Sequence, residues 1–371
     1  MLAALMIVGL LALAALAVDV GYLLLARTQL QVAADAAAIA AAWDLIDEEA
    51  GSGNAGLADE VTASRSTAAD FAALNVVCTS GPEIDQNAAN DATGDVVVGY
   101  LPDLADPSAT LQFDNTDQFN AVRIRVRKTS DMNGEVALFF ARVLGIESKP
   151  LEAEALAALN KQIGGFRTPA DGGNVDLLPF ALDLVTWEAL MNGTGTDNYD
   201  WSPENDHVYN GSDGIKEVNL YPQGTGSPGN RGTVDIGPSN NSTADIARQI
   251  VEGISPEDFD AMGGELEFNE QGELHLNGDT GISAGVKDEL ASIIGEIRMI
   301  PIFSQVSGPG NNADYTIVKF VGVRILYVKL TGSMSSKKLI VQPANVLAYG
   351  TIATETAGTS DFIYTPARLL Q

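Results

Sequence analysis

The hydrophobic pattern divides the chain into an apolar N-terminal helix and a longer region of short, alternating elements. Residues 1–18 carry no charge, and the apolar run continues from Val20 to Ala26, interrupted only by Asp19. About 20 apolar residues at 1.5 Å each are enough to cross a hydrocarbon core of ~30 Å. After Arg27 the sequence stays rich in helix formers, with no Gly or Pro before Gly51. One helix is therefore predicted over residues 1–50, with its first part in a membrane.

Small residues recur along the second part of this predicted helix. Ala33, Ala37 and Ala41 lie four residues apart and give a smooth face that another helix could approach closely. The alternative is a stalk that packs this face on the chain's own domain, and the sequence leaves both open. Asp19 and Arg27 also have two interpretations: they pair between neighbouring helices, or Asp19 marks the outer membrane interface while Arg27 snorkels there.

Beyond Gly51 the pattern predicts two β-rich regions separated by a linker. Val122, Ile124 and Val126 alternate with three arginines, so we expect a strand whose arginines face the protein's own carboxylates. Residues 163–174 gather Gly and Pro and are predicted to be the linker. The other predicted helices are 57–75, 135–145, 183–193, 241–254 and 286–295, a second helix start lies at 255–259, and a hairpin is predicted at 264–278. The other predicted strands are 96–101, 109–113, 216–222, 232–237, 297–306, 315–332 and 337–353.

A long polar stretch, residues 192–214, is predicted to be a loop. Asp197, Asp200, Asp206 and Asp213 crowd it with the hard oxygen ligands that calcium prefers, although their spacing matches no EF-hand. The alternative is a solvated loop held by Asx-turns.

The segment "AVDVGYLLLARTQLQVAADAAAIAAAW", residues 17–43, resembles the N-terminal signature of TadG-like (TadE/TadG) proteins of tight-adherence (Flp/Tad) pilus systems. The resemblance covers roughly residues 10–45. The matching positions are Asp19, Gly21, Arg27, Leu30, Gln31, Ala33, Ala34 and Asp35. Later stretches at 133–159 and 177–195 resemble planctomycete-type members. The resemblance implies an envelope or pilus-associated protein with no catalytic activity, and it favours a strand for "SKPLEAEALAALN", residues 148–160.

Composition agrees with an exported protein. The net charge of −28 and pI near 4.2 argue against nucleic acid and anionic lipid headgroups as partners of the globular part. The single Cys78 rules out an internal disulfide. "GISAG", residues 281–285, fits a hydrolase nucleophile motif, but both histidines precede Ser283, whereas that fold places its histidine last. We therefore expect no enzyme, no catalytic residue and no bound cofactor, calcium apart.

The sequence predicts an α+β protein in which a long apolar, alanine-rich helix (1–50) precedes two subdomains, 51–165 and 166–371. We expect a pilin-like structural subunit of an extracellular filament, with copies of itself, pilus-assembly proteins and the membrane as partners. Before assembly it would lie in the inner membrane facing the periplasm, released from a basic leader. The alternatives are a permanently anchored periplasmic component of the assembly machinery and a cell-surface binding module. The residues expected to mediate assembly are Asp19, Gly21, Tyr22, Arg27, Ala33, Ala37 and Ala41.

Overall fold

The computed structural model describes residues 2–46, 57–222, 231–238, 242–308, 313–354, 356 and 358–370, without the side chains of residues 2–5, 7, 8 and 11. The α-helices of this part of the chain are α1 (Leu2–Trp43), α2 (Ala58–Leu74), α3 (Leu184–Met191), α4 (Thr243–Glu252), α5 (Pro256–Ala261) and α6 (Lys287–Ser292). The predicted α+β class is confirmed.

The strands are short except in the C-terminal part of the chain. They are β1 (Val96–Gly99), β2 (Ala121–Lys128), β3 (Val136–Ala137), β4 (Ser148–Lys149), β5 (Leu151–Ala158), β6 (Ile163–Arg167), β7 (Phe180–Asp183), β8 (Tyr199–Ser202), β9 (His207–Asn210), β10 (Val218–Asn219), β11 (Gly232–Val234), β12 (Glu265–Glu267), β13 (Leu274–Asp279), β14 (Ile297–Ser307), β15 (Ala313–Lys329), β16 (Lys338–Pro343), β17 (Val346–Leu347), β18 (Thr351–Ala353), β19 (Ser360–Asp361), β20 (Ile363–Tyr364) and β21 (Arg368–Leu370).

The described residues form two compact units. The first unit comprises residues 2–46, 57–159 and 367–370, and the second comprises the described residues from 160 to 366. The chain therefore leaves the first unit after β5 and returns to it at β21. The division into domains 1–50, 51–165 and 166–371 stays a prediction.

The first unit is a four-stranded antiparallel sheet against which two helices pack. Its strand order is β1-β2-β5-β21. β2 and β5 pair over eight residues, from Ala121 opposite Ala158 to Lys128 opposite Leu151. The second part of α1 lies against β2, β5 and α2. The strands predicted at 119–128 and 148–160 and the helix predicted at 57–75 are thus confirmed.

Two of the three arginines of β2 pair with the chain's own carboxylates, as expected, and the third binds a backbone carbonyl. The side chain of Asp95 is 1% exposed, and its carboxylate accepts hydrogen bonds from Nε of Arg125 at 3.3 Å and from Nη2 of Arg127 at 3.0 Å. Arg127 also reaches Asp131 at 3.0 Å, and Arg123 donates to the carbonyl of Ala92. Because these guanidinium groups are occupied within the unit, the row of arginines is not an open anion site.

The second unit is built around a closed ring of five strands. β14 and β15 pair antiparallel along most of their length, β15 continues to β13, β13 to β11, and β11 to β7. β7 then pairs parallel with β14 and closes the ring. Both faces of these strands are buried: Leu182, Ile300 and Val323 belong to one hydrophobic cluster, and Ala181 and Met299 belong to another.

Helices α3, α4, α5 and α6 begin near the predicted positions, and side-chain caps explain why for the first three. The side chain of Asp183 accepts a hydrogen bond from Thr186 N–H at the start of α3, and Ser242 does the same for Asp245 at α4. Ser255 forms a capping box at α5. The predicted end of α1 near residue 50 lies outside the described residues, whereas the described helix ends at Trp43.

Three predicted elements are wrong. Residues 135–145 are not an α-helix: they contain β3 and one 3-10 turn, Ala141–Leu144. Residues 163–174 are not a linker, because they begin with β6, which is buried between β12 and β18. Residues 264–278 are not a two-stranded hairpin, because β12 pairs with β6 while β13 pairs with β11 and β15.

The segment 109–113, predicted to be a strand, makes only a single bridge, between Tyr100 and Gln112. The remaining strand predictions correspond to β1, β10, β11, β14, β15 and the strands β16 to β18. β15 is 17 residues long, and its pairing register shifts twice against β14 and once against β16, as β-bulges produce.

Candidate functional site

The first half of α1 exposes apolar side chains around the helix. Each of the following is 46% to 65% exposed: Met6, Leu10, Leu13, Leu16, Val18, Val20, Leu24 and Leu25. From Met6 to Leu25 the helix rises by roughly 30 Å, which is the thickness of a bilayer's hydrocarbon core. In the part of the chain that the structure describes, Ala12–Trp43 is the one helical stretch long and apolar enough to cross a membrane.

The second half of α1 is buried inside its own unit. Ser64 of α2 donates a hydrogen bond to the carbonyl of Ala41 at 2.7 Å, and Gln31 Nε2 donates to the carbonyl of Glu154 in β5 at 2.9 Å. The side chain of Gln29 accepts from the backbone N–H of Cys78 at 2.8 Å. The fully buried residues on this face are Ala26, Leu30, Ala33, Ala34, Ala37, Ala38, Ala41, Ala42 and Leu45.

The alanine face is therefore occupied by the chain's own sheet and α2. The sequence left two arrangements of this face open, contact with another helix or packing on the chain's own domain. The structure contains the second. Ala33, Ala37 and Ala41 are each 0% exposed, so they do not offer a surface to another copy. Their role in assembly stays a prediction, which their burial in the single chain does not favour.

Asp19 is held by the chain's own backbone. Although it interrupts the apolar run, it is only 2% exposed. Its carboxylate accepts hydrogen bonds from the N–H groups of Phe139 at 2.8 Å, Phe140 at 3.0 Å and Ala141 at 2.6 Å. Three successive N–H groups at the start of a 3-10 turn form a concave anion-binding arrangement. Sequence reasoning missed these partners because they lie about 120 residues away and carry no local signal.

The other predicted assembly residues near Asp19 have separate environments. The ring of Tyr22 packs edge-to-face on Phe139, with 5.1 Å between centroids. Gly21 is exposed, and a Cβ there would meet nothing within 4 Å, so no contact within the chain requires glycine. Arg27 is exposed about 12 Å further along the helix axis. A pair between Asp19 and Arg27 of different copies stays a prediction.

The turn that binds Asp19 carries the most exposed large apolar side chains of the described part of the first unit. We call residues 139–146 the apolar loop. Val143 is 90% exposed and Leu144 is 78% exposed. Phe139, Phe140 and Ile146 are 58%, 49% and 40% exposed. The apolar loop and the first half of α1 thus expose hydrophobic surface on neighbouring parts of the same unit.

The stretch 192–214 is not only a loop, because it contains the antiparallel hairpin β8-β9. Buried Glu217 fixes the start of this hairpin by accepting hydrogen bonds from the N–H groups of Asn198 at 2.8 Å and Tyr199 at 2.6 Å. Hydrogen bonds from a buried carboxylate therefore hold this part of the second unit.

The carboxylates predicted as calcium ligands do not converge. Among the residues described, no group of three or more His, Cys, Asp or Glu side chains is placed to hold a metal ion. Asp197 binds Lys216 at 3.5 Å and the N–H of Asp213, whose own carboxylate accepts from Gln342. Burial raises the pKa of Asp197, but hydrogen bonds with Ser212 and the charge of Lys216 outweigh it, so that the pKa is below its ordinary value. Asp200 and Asp206 lie in the hairpin and its turn. The calcium site stays a prediction, which the positions of these carboxylates do not support.

Two family models match the chain, both in its N-terminal part. Residues 1–44 match the model described as Flp pilus-assembly TadE/G-like, and residues 40–157 match the model described as Tad-like Flp pilus-assembly. No curated protein and no solved structure matches the chain. The two matched segments contain α1, the apolar loop and strands β1 to β5.

Proposed function

We propose that the chain is a non-enzymatic, pilin-like structural subunit of an extracellular filament, because residues 1–157 match two models of Flp pilus-assembly families. These matches support a role in pilus assembly at the cell envelope. Before assembly, the first half of α1 would anchor the chain in the inner membrane, with both compact units on the periplasmic side. Its partners would be pilus-assembly proteins and then copies of itself.

The observation that carries this proposal is the division of α1 into an exposed apolar half and a buried half. Hydrophobic side chains such as Leu10, Leu13 and Leu24 are more than 60% exposed, so they need lipid or another protein to cover them. One continuous helix joins them to the half that is fixed in the first unit. A helical array of copies, each covering its neighbour's apolar half, would replace the lipid.

The burial of the alanine face decides which residues would make contacts between copies. Since Ala33, Ala37 and Ala41 are used inside the unit, such contacts would involve the apolar side chains before Ala26 and the outer surface of the units. This moves the proposed assembly surface toward the N-terminus. It leaves the fold of each subunit the same before and after assembly.

A purely structural role is supported by the environment of the one serine in a hydrolase-like motif. The hydroxyl of Ser283 accepts a hydrogen bond from Gly285 N–H at 3.2 Å and caps a 3-10 turn. Of the two histidines, His275 lies beside Asp314 and Glu273 on exposed surface, and His207 packs on Tyr209. Neither residue is paired with Ser283.

The alternative function is that of an inner-membrane-anchored component of the assembly machinery. The binding of Asp19 within its own chain favours it, because the charge in the apolar helix then needs no second copy. The third candidate, a surface binding module that uses residues 192–214 or the β-rich region, stays a prediction.

Shearing of cells, followed by electron microscopy with antibodies to the second unit, distinguishes these functions. We expect gold label along the filaments and the chain in the sheared fraction. The double variant Leu10→Ala and Leu13→Ala should keep membrane insertion but reduce filament yield, because alanine removes contact area while staying apolar. Leu74→Ala with Val76→Ala, at exposed positions outside α1, is the matched control and should leave the yield unchanged. Label confined to the envelope would replace the subunit proposal with the machinery component.

A further inference from the structure

Phe139 packs on Tyr22, but packing within the first unit does not explain the other apolar side chains of the apolar loop. Val143 and Leu144 are 90% and 78% exposed, and two phenylalanines beside them are about half exposed. Large apolar side chains clustered on one exposed turn mark an interaction surface. Their partner must be consistent with where the loop lies along α1.

Hydrogen bonds place the apolar loop beside the exposed apolar half of α1. The N–H groups of residues 139–141 bind Asp19, so the loop starts at the level of that residue along the helix. Exposed apolar side chains of α1 continue on both sides of this level, with Leu16 before Asp19 and Leu24 after it. The loop is therefore continuous with the segment that spans the membrane, and it lies short of Arg27, where that segment ends.

The backbone and charges of the apolar loop suit the interface of a bilayer. Non-helical backbone is tolerated at membrane depth only where its polar groups are paired. Besides the bonds to Asp19, the N–H groups of Val143, Gly145 and Ile146 donate to carbonyls of the same loop at 3.0 to 3.1 Å. Arg142 is exposed in the same turn, where a guanidinium group can reach lipid phosphate.

We propose that the apolar loop inserts into the outer interface of the membrane that α1 crosses, so that the protein is attached at two places. Phe139, Phe140, Val143 and Leu144 would enter the acyl boundary, with Arg142 at the headgroups. The pair of attachments would fix the rotation of α1 about its axis and the face that the first unit turns to the membrane. This inference rests on the membrane anchor alone and holds for either function proposed above.

Nitroxide labels on the full chain in nanodiscs test this proposal. The label is placed at Val143→Cys in a Cys78→Ser background, with Leu16→Cys as the reference inside the membrane. Glu154→Cys is the matched control, because Gln31 binds Glu154 and lies 12 residues, or about 18 Å, beyond Asp19 along α1. We expect the label at 143 to collide with oxygen more than with a nickel chelate, as at 16, and the label at 154 to show the reverse.

Two results would overturn the proposal. A label at 143 that is as accessible to the nickel chelate as the label at 154 would place the loop in water. A label at 143 that is immobilised and shielded from both reagents would mean that a second copy covers the loop.

A second measurement avoids the cysteine background. Val143→Trp adds a fluorophore at a position that is 90% exposed. Brominated lipids should quench a larger fraction of the tryptophan fluorescence in this variant than in the wild-type chain. Equal fractions in the two proteins would reject insertion. Filament formation is measured separately. If the apolar loop does not insert, the proposed function stands, and if filaments are lost, the insertion of the apolar loop is still undecided.

Discussion

Enlargement of one buried alanine tests whether α1 packs on its own unit. Ala37 is 0% exposed, and two alanines of the neighbouring α2, Ala68 and Ala72, are also 0% exposed. Hydrogen bonds at both ends of the contact, from Ser64 to Ala41 and from Gln31 to Glu154, fix the spacing of α1 from α2 and from β5. Ala37→Leu therefore adds three carbon atoms to a site that has little freedom to expand.

The expected loss of stability follows from this confinement. Overpacking of a well-packed core costs about 1 to 3 kcal/mol. In a unit of this size, 1 kcal/mol lowers the midpoint of thermal unfolding by roughly 2 to 4 °C. We expect the midpoint of Ala37→Leu to fall by about 3 to 10 °C. Val32→Leu is the matched control, because Val32 is 51% exposed on the same helix and should change the midpoint little.

The assay is thermal unfolding of the full chain in detergent, followed by circular dichroism and checked for a monomer by size-exclusion chromatography. The reasoning would be refuted if Ala37→Leu left the unfolding midpoint of the purified monomer unchanged while cells that make this variant lost their filaments. This result would show that the alanine face contacts another copy and that this part of α1 is free in the single chain.

Three further outcomes are expected. Asp19→Ala should speed the hydrogen exchange of the amides of residues 139–141. Asp35→Ala, whose carboxylate accepts a hydrogen bond from Gln31, should not; equal exchange in both variants would reject the role of Asp19 in holding the apolar loop. Burial, helped by two nearby carboxylates, raises the pKa of Asp235, so its ionised form disfavours folding, and Asp235→Asn should raise the unfolding midpoint at pH 7. This gain should shrink as the pH falls through the raised pKa and vanish below the ordinary value of 3.8; a gain that persists at low pH would contradict the assignment. Calcium should leave the midpoint of the wild-type chain unchanged, because Asp197 is already engaged, and a clear rise would restore the metal loop.

Elements whose signals are local could be predicted from the sequence. The alternation around Val122 and Ile124 gave β2, because one buried face imposes a period of two. The cap at Ser242 and the glycine at 193, with a φ of 82°, marked helix ends for the same local reason. The apolar composition of residues 1–26 likewise showed a helix that needs a non-aqueous partner.

Features that depend on distant contacts could not be predicted. Gly165 looked like part of a linker, yet a Cβ there would lie 2.2 Å from the carbonyl oxygen of Leu266, so the glycine allows two strands to approach closely. The partners of Asp19 lie in a segment whose apolar residues resembled a helix. The alanine spacing of α1 fits a neighbouring chain and the chain's own sheet equally well, and only the fold distinguishes the two.

The return of the chain to its first sheet affects the order in which the protein can mature. β21 pairs with β5 through Arg368 opposite Ala158 and Leu370 opposite Leu156. This edge of β5 therefore has no strand partner until β21 has been synthesised, after the second unit. We expect the first unit to stay an incomplete sheet until then, with its edge open to chaperones or to other strands. Pairing of β5 with β21 would make the completion of the first unit depend on the synthesis of the second.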